Sequence, residues 1–247
     1  MVDQDRQLAV ITGAASGIGA ATVHALLRDG FEVACVDRDA QRLSTLVQEA
    51  GDRVRAFCVD ICDEAGVVEV FRSIMKWRGH IDALATCAGI VDTTELSKLS
   101  AQRFLEVMQI NVLGTFLPIR EAAALMQPGS RICTVSSVAG IRGGGLAGTV
   151  AYASSKGGVI SMSKTLAREL GPKGITVNCV APAVIRTPML DRTTEAPGQI
   201  ERLHAMTALR REGRADEAAE AIAWFLSPRA SFTTGTTLPV DGGLTML

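Results

Sequence analysis

Leu8-Ala9-Val10-Ile11-Thr12-Gly13-Ala14-Ala15-Ser16-Gly17-Ile18-Gly19 is the stretch that decides the fold. An apolar, β-branched run leads straight into a glycine-spaced turn, and the turn opens a helical pattern that reaches Asp29. A strand–turn–helix unit of this kind is the start of a pyrophosphate site. Glycines let the backbone turn tightly and approach a ligand, and the helix N-terminus offers unpaired N–H groups and the positive end of its dipole. That reading makes Gly13, Ser16, Gly17, Ile18 and Gly19 candidate cofactor contacts. The spacing is G-x-x-x-G-x-G rather than the commoner G-x-G-x-x-G, so taken alone the stretch also reads as a plain tight βα turn.

Working outward, short apolar runs at 8–12, 31–36, 54–59, 83–86, 131–135, 176–180 and 238–240 alternate with helical patterns at 17–29, 40–50, 64–77, 100–126, 152–170 and 216–226. Runs this apolar suit strands buried on both faces, and the alternation predicts a doubly wound α/β fold: a parallel sheet of about seven strands with helices on both faces. No linker or low-complexity tract interrupts the 247 residues, which reads as one domain over 1–247. Two stretches stand apart, a glycine-rich loop at 140–148 and a segment at 183–207 that would cover the ligand as a lid. Both follow strand C-termini, where open α/β sheets bind ligands.

The net charge of −1 gives no footprint for nucleic acid or an anionic membrane, and no apolar run is long enough to span a bilayer. The first residues, Met1 to Arg6, lack the basic-then-apolar order of a signal peptide. Six cysteines, at 35, 58, 62, 87, 133 and 179, are scattered without C-x-x-C spacing. They read as buried thiols of a cytoplasmic protein, with no metal site expected.

Asp37 ends the second strand. A carboxylate there accepts both hydroxyls of an adenosine ribose and repels a 2′-phosphate, which favours NAD. Arg38 is either a phosphate contact or a solvated charge. Asp60, past the third strand, either bonds an adenine amine or caps the following helix.

Tyr152, the only tyrosine, is followed at i+4 by Lys156, so the two share a helix face. A phenol titrates near pH 10 and is a poor base at neutral pH. A neighbouring ammonium would lower that value and let the phenol exchange a proton with a carbonyl or alcohol oxygen. On this reading a bound nicotinamide carries the hydride, and the protein supplies position and proton.

As a set, the glycine loop, Asp37, Asn111, Ser137 and Tyr152-x-x-x-Lys156 resemble the short-chain dehydrogenase/reductase family, from Leu8 to Gly243. The resemblance implies a catalytic set of Asn111, Ser137, Tyr152 and Lys156. Ser137 would hold the substrate oxygen beside the phenol, with Ser136 the alternative. Asn111 would support a water leading from Lys156 to solvent, or else merely kink its helix. Lys156 would bond the nicotinamide ribose and tune Tyr152. The resemblance also implies cofactor contacts from Ile61, Cys87, Ala88, Gly89, Pro182, Ile185 and Thr187. Two departures from the family pattern stand out: Ala183 replaces the usual glycine, and Thr86-Cys87 replaces the usual Asn-Asn. Cys87 there reads as an inert thiol rather than a redox sensor.

The expected lid lining is apolar: Met189, Leu190, Ile200, Leu203 and Met206. Arg186, Arg192, Arg202 and His204 are its charged or titratable exceptions, and no carboxylate anchor is expected. The expectation is an NAD-dependent enzyme interconverting a small secondary alcohol and a ketone, assembled as a homotetramer. The alternatives are a 3-oxoacyl carrier-protein reductase, for which Lys173 would help dock an acidic carrier, and a non-catalytic dinucleotide-binding protein.

Overall fold

The computed structural model describes residues 6–144, 148–191 and 198–246. Seven strands form one parallel sheet: β1 (Leu8–Thr12), β2 (Glu32–Asp37), β3 (Val54–Cys58), β4 (Ala83–Thr86), β5 (Arg131–Val135), β6 (Thr176–Pro182) and, closing the edge, β9 (Thr237–Val240). Their order in space is β3-β2-β1-β4-β5-β6-β9, so the chain reverses its direction of winding between β1 and β4.

Side-chain alternation explains why this sheet needs cover on both faces. Ala9, Ile11, Val33, Cys35, Ala83, Ala85 and Cys133 point into one core, while Leu8, Val10, Ala34, Val36, Leu84 and Ile132 point into the other. The first core is closed by α1 (Gly17–Arg28), α2 (Ala40–Ala50) and α10 (Ala215–Leu226), the second by α3 (Glu64–Arg78), α5 (Gly114–Leu125) and α7 (Val150–Leu170).

Four features depart from the sequence reading. The helix expected over 100–126 is α4 (Ala101–Met108), a π-helical turn at Gln109–Leu113, and then α5. The glycine-rich loop begins as a short helix, α6 (Ala139–Arg142). The lid contains α8 (Pro188–Asp191) and α9 (Gln199–Met206), with Arg192 outside the described residues. A two-residue strand, β7 (Ile185–Arg186), pairs in parallel with β8 (Gly213–Arg214) and ties the root of the lid to the start of α10.

Candidate active site

The winding reversal opens a crevice past the C-terminal ends of β1 and β4, the position where open α/β sheets bind their ligands. There the two strand ends are pressed together. Cys87 N–H donates to the Thr12 carbonyl at 3.1 Å, and a β-carbon built on Gly13 would lie 2.6 Å from the Ala88 nitrogen. Gly13 also has φ +68°, and a β-carbon on Gly19 would run into the Gly13 carbonyl oxygen. Only glycine satisfies both positions. The turn therefore delivers the N-terminus of α1 to the floor of a cleft of about 750 Å³.

That cleft brings together the residues the sequence marked as cofactor contacts. Gly13, Ser16, Gly17, Ile18 and Gly19 line it at the helix end. Asp37, Arg38, Asp60 and Ile61 line it at the β2–β3 side. The Asp37 carboxylate accepts Ala15 N–H at 3.1 Å and Asp39 N–H at 3.0 Å, so it is oriented by backbone rather than by a cation. Each of its oxygens keeps a lone pair for a ligand hydroxyl. Asp60 accepts Cys62 N–H at 2.9 Å in a local turn. It does not cap the following helix, because that helix starts later and is capped by Asp63, which accepts Gly66 N–H. Arg42 also reaches the cleft, ion-paired with Asp39 at 3.4 Å.

A second cavity, of about 190 Å³, adjoins the first and shares Ile18, Cys87, Gly89 and Thr187 with it. Tyr152, Lys156, Ser136, Ser137, Pro182 and Ile185 belong to this second cavity. The expected cofactor contacts are thus divided between a long cleft and a compact pocket meeting at Gly89 and Thr187.

Tyr152 lies in the first turn of α7 and is buried. Its phenol faces the Ser137 hydroxyl, whose oxygen accepts Ala139 N–H at 3.1 Å. Ser136 is otherwise engaged, its hydroxyl donating to the Lys156 carbonyl at 2.7 Å. That separates the two serines: Ser137 meets the phenol, while Ser136 fastens β5 to α7. Lys156 Nζ donates to the Val135 carbonyl at 3.0 Å and stands 6.0 Å from the centre of the Tyr152 ring.

The electrostatics differ from the sequence expectation. Burial pushes the Tyr152 phenol above its ordinary pKa, and the Ser137 hydroxyl beside it only partly opposes this. Burial also brings the Lys156 ammonium down to about 8. Lys156 does not lower Tyr152 in this arrangement, because both groups are desolvated and the ammonium is held by a backbone carbonyl.

Asn111, fully buried in the π-helical turn, spends its amide on structure. Oδ1 accepts Ile90 N–H at 2.8 Å, and Nδ2 donates to the Ile90 carbonyl and to Ser155 Oγ, both at 2.9 Å. Ser155 in turn donates to the Tyr152 carbonyl at 2.7 Å. Asn111 therefore couples the segment after β4 to the backbone that carries the phenol.

Asp92, which sequence reasoning passed over, makes a parallel link. Its buried carboxylate takes Arg103 Nε at 2.6 Å and Thr94 N–H at 3.1 Å. Its backbone carbonyl takes both the N–H and the hydroxyl of Thr149, at 3.0 and 3.1 Å. Burial alone would raise the Asp92 carboxyl, but the Arg103 and Thr94 hydrogen bonds outweigh it and hold the group below the usual carboxylate range. Thr149 is the N-cap of α7, and its hydroxyl is diverted to Asp92 instead of capping the helix. No periodicity marks such a residue; only the packing of α4 against α7 brings Arg103 and Thr149 to it.

The lid lining is largely as expected, with Met189, Leu190, Leu203 and Met206 facing the pocket. Ile200 instead packs behind them against Val184, Leu190 and Leu203. Arg186 and His204 both turn to Glu212 and leave the pocket. Lys173 follows the C-terminus of α7, about 30 Å of helix away from Tyr152. Leu244 of the C-terminal tail joins the lining, and Ala183 lies there with its N–H held by the Val240 carbonyl at 3.1 Å.

The cysteines are not uniformly buried. Cys35, Cys133 and Cys179 are, but Cys58 is exposed because β3 is an edge strand, and Cys62, in the turn after β3, and Cys87 are half-buried. Burial pushes the Cys87 thiol up to about 12, the range of an unreactive thiol. Among the described residues no three His, Cys, Asp or Glu side chains gather as metal ligands would, and no helix is long and apolar enough to cross a membrane.

Known proteins place this geometry. A family model described as enoyl-(acyl carrier protein) reductase matches residues 13–245. An uncharacterized oxidoreductase of Escherichia coli K12, YgfF, is 37% identical over 246 residues, spanning 96% of this chain and 99% of its own. The 3-oxoacyl-[acyl-carrier-protein] reductase FabG of Thermotoga maritima is 35% identical over 243 residues, 96% of this chain and 97% of its own. A crystal structure from Brucella melitensis, described as a short-chain dehydrogenase/reductase of the glucose/ribitol dehydrogenase kind, superposes with a TM-score of 0.92. It shows 31% identity and covers 98% of this chain and 97% of that one.

Proposed function

Because this chain belongs to the short-chain dehydrogenase/reductase family, we propose that it interconverts a secondary alcohol and a ketone with NAD, using Tyr152 as the acid/base. One observation carries the reading: a buried phenol, facing the Ser137 hydroxyl, stands in a mainly apolar pocket that adjoins the cleft lined by Gly13 to Gly19 and Asp37. The nicotinamide, when bound, supplies or takes the hydride. Everything else falls to the protein. Ser137 and Tyr152 hold the substrate oxygen between two hydroxyls. Tyr152 donates its proton to a carbonyl or accepts one from an alcohol. Lys156 is placed to bond the cofactor ribose, and the lid excludes water.

The choice of NAD rests on Asp37. Its backbone-held carboxylate faces the cleft where an adenosine ribose would lie, and a 2′-phosphate there would meet like charge. Arg42 is engaged with Asp39. A carrier-protein substrate is less well supported, since Lys173 lies at the far end of α7 from the pocket. The test is a panel of secondary alcohols with NAD and with NADP, followed by absorbance of the reduced cofactor. Turnover at higher kcat/KM with NAD supports the reading, and a preference for NADP overturns the role given to Asp37.

The protein is further proposed to work as a cytoplasmic homotetramer. Exposed apolar side chains support this: Leu105 on α4, Leu113 in the π-helical turn, Phe116 on α5 and Val150 at the start of α7, and, further along the chain, Trp224 on α10, Phe232, and Leu238 on β9. A tetramer of twofold symmetry needs two self-complementary interfaces.

A further inference from the structure

The substrate pocket holds one cation for which its own walls provide no partner. Arg142 ends α6 and lines the pocket. Among the described residues it has neither an ion pair nor a side-chain hydrogen bond, and no aspartate or glutamate is found in the pocket lining. The other basic side chains near the site are committed: Lys156 to the Val135 carbonyl, Arg186 to Glu212, and the His204 ring nitrogen to Glu212.

The position of Arg142 is fixed rather than incidental. Its N–H donates to the Val138 carbonyl at 3.0 Å, and α6 is pressed so closely on α7 that a β-carbon on Gly140 would lie 2.6 Å from the Lys156 carbonyl carbon. The Arg142 backbone is thus anchored two residues from the point where α6 meets the backbone of Lys156, and its exposed side chain lines the pocket. Away from Ser136, Ser137, Tyr152, Lys156 and Thr187, the wall is mainly apolar, with Val138, Val184, Met189, Leu190, Leu203 and Met206.

We infer that the substrate carries an oxyanion group, which Arg142 binds, joined by an apolar body to the alcohol or ketone held at Ser137 and Tyr152. This rests on the oxidoreductase reading above and names the substrate class for it: oxo and hydroxy acids, or phosphate esters of the same shape. A guanidinium fork fits carboxylate and phosphate alike. The apolar lid lining read from the sequence omits this anchor, because Arg142 comes from the other side of the pocket.

The experiment takes a series of methyl-ketone carboxylic acids of increasing chain length, their methyl esters, and the corresponding ketone phosphates. Each is reduced with NADH by the wild-type protein and by R142Q and R142K. Turnover of the neutral esters tests the oxidoreductase reading by itself. The ratio of kcat/KM for an anion to that for its ester tests the anchor. The expected wild-type ratio is about tenfold in favour of the anion, the scale of one charge-assisted contact at a partly open site. R142Q should bring it close to one, and R142K should retain part of it. Preference for the acid series or the phosphate series identifies the group. A wild-type ratio near one, or a ratio unchanged in R142Q, overturns the inference while leaving the oxidoreductase reading in place. Turnover of neither anions nor esters overturns both.

Discussion

Burial holds the Tyr152 phenol in its protonated form at neutral pH, which in the proposed reaction makes it a proton donor there. A phenol with a raised pKa is a ready proton donor below that value, whereas its base form appears only above it. Ketone reduction is therefore expected to proceed at full rate through neutral pH, and alcohol oxidation to climb as pH rises toward the phenol pKa. Measuring both directions from about pH 6 to about pH 10 at saturating substrate checks this. An oxidation rate that is level across the range would show that the phenol is not the titrating base. At this scale the sequence was legible where the chemistry is carried by residue type and spacing, as in Tyr152-x-x-x-Lys156. It was not legible for the direction of the Tyr152 shift. That depends on desolvation and on the Val135 carbonyl capturing the ammonium, neither of which is encoded in spacing.

The elements around the site act as clamps on the first turn of α7. Asn111 reaches it through Ser155, and Asp92 through Thr149, so two segments after β4 hold the helix that presents the phenol. In Asp92→Asn the charged acceptor for Arg103 is lost inside a buried pocket, at a cost of about 1–3 kcal/mol. The expected result is a lower melting temperature together with a fall in kcat, while NAD affinity changes little, because Gly13 to Gly19 and Asp37 are untouched. A loss of NAD affinity with unchanged kcat would contradict that assignment. The seven strands and the main helices were readable from apolar runs and periodicity. The π-helical turn was not, since one widened turn barely disturbs the pattern of a long amphipathic helix. Nor were α6, α8 and the β7–β8 pair, each of which is too short for a periodic signal and exists because tertiary contacts hold it.

For the whole molecule, exposed apolar surface is the feature that the single chain leaves unexplained. Leu105 and Phe116 are exposed on one flank and Phe232 on another, a distribution that a water-exposed monomer does not favour. Light scattering at micromolar concentration is expected to give a tetramer. A Leu105→Glu, Phe116→Glu double variant should reduce it to a smaller assembly with the far-UV spectrum intact. A monomeric wild-type protein would remove the proposal. Fold class was legible at this scale because alternating strands and helices admit few arrangements. Which apolar side chains stay exposed was not: the exposure of Phe232 emerges only once its chain segment is placed.

The central claim is that Tyr152 moves the proton in a reaction whose hydride travels on a bound nicotinamide, and one substitution separates those two parts. In Tyr152→Phe the ring that packs beside Gly148 and Lys156 is kept and only the hydroxyl is removed. With a substrate identified from the alcohol panel, kcat is expected to fall by about 10²–10⁴-fold, while NADH, followed by its fluorescence, still binds with near wild-type affinity. Wild-type turnover in that variant would contradict the account.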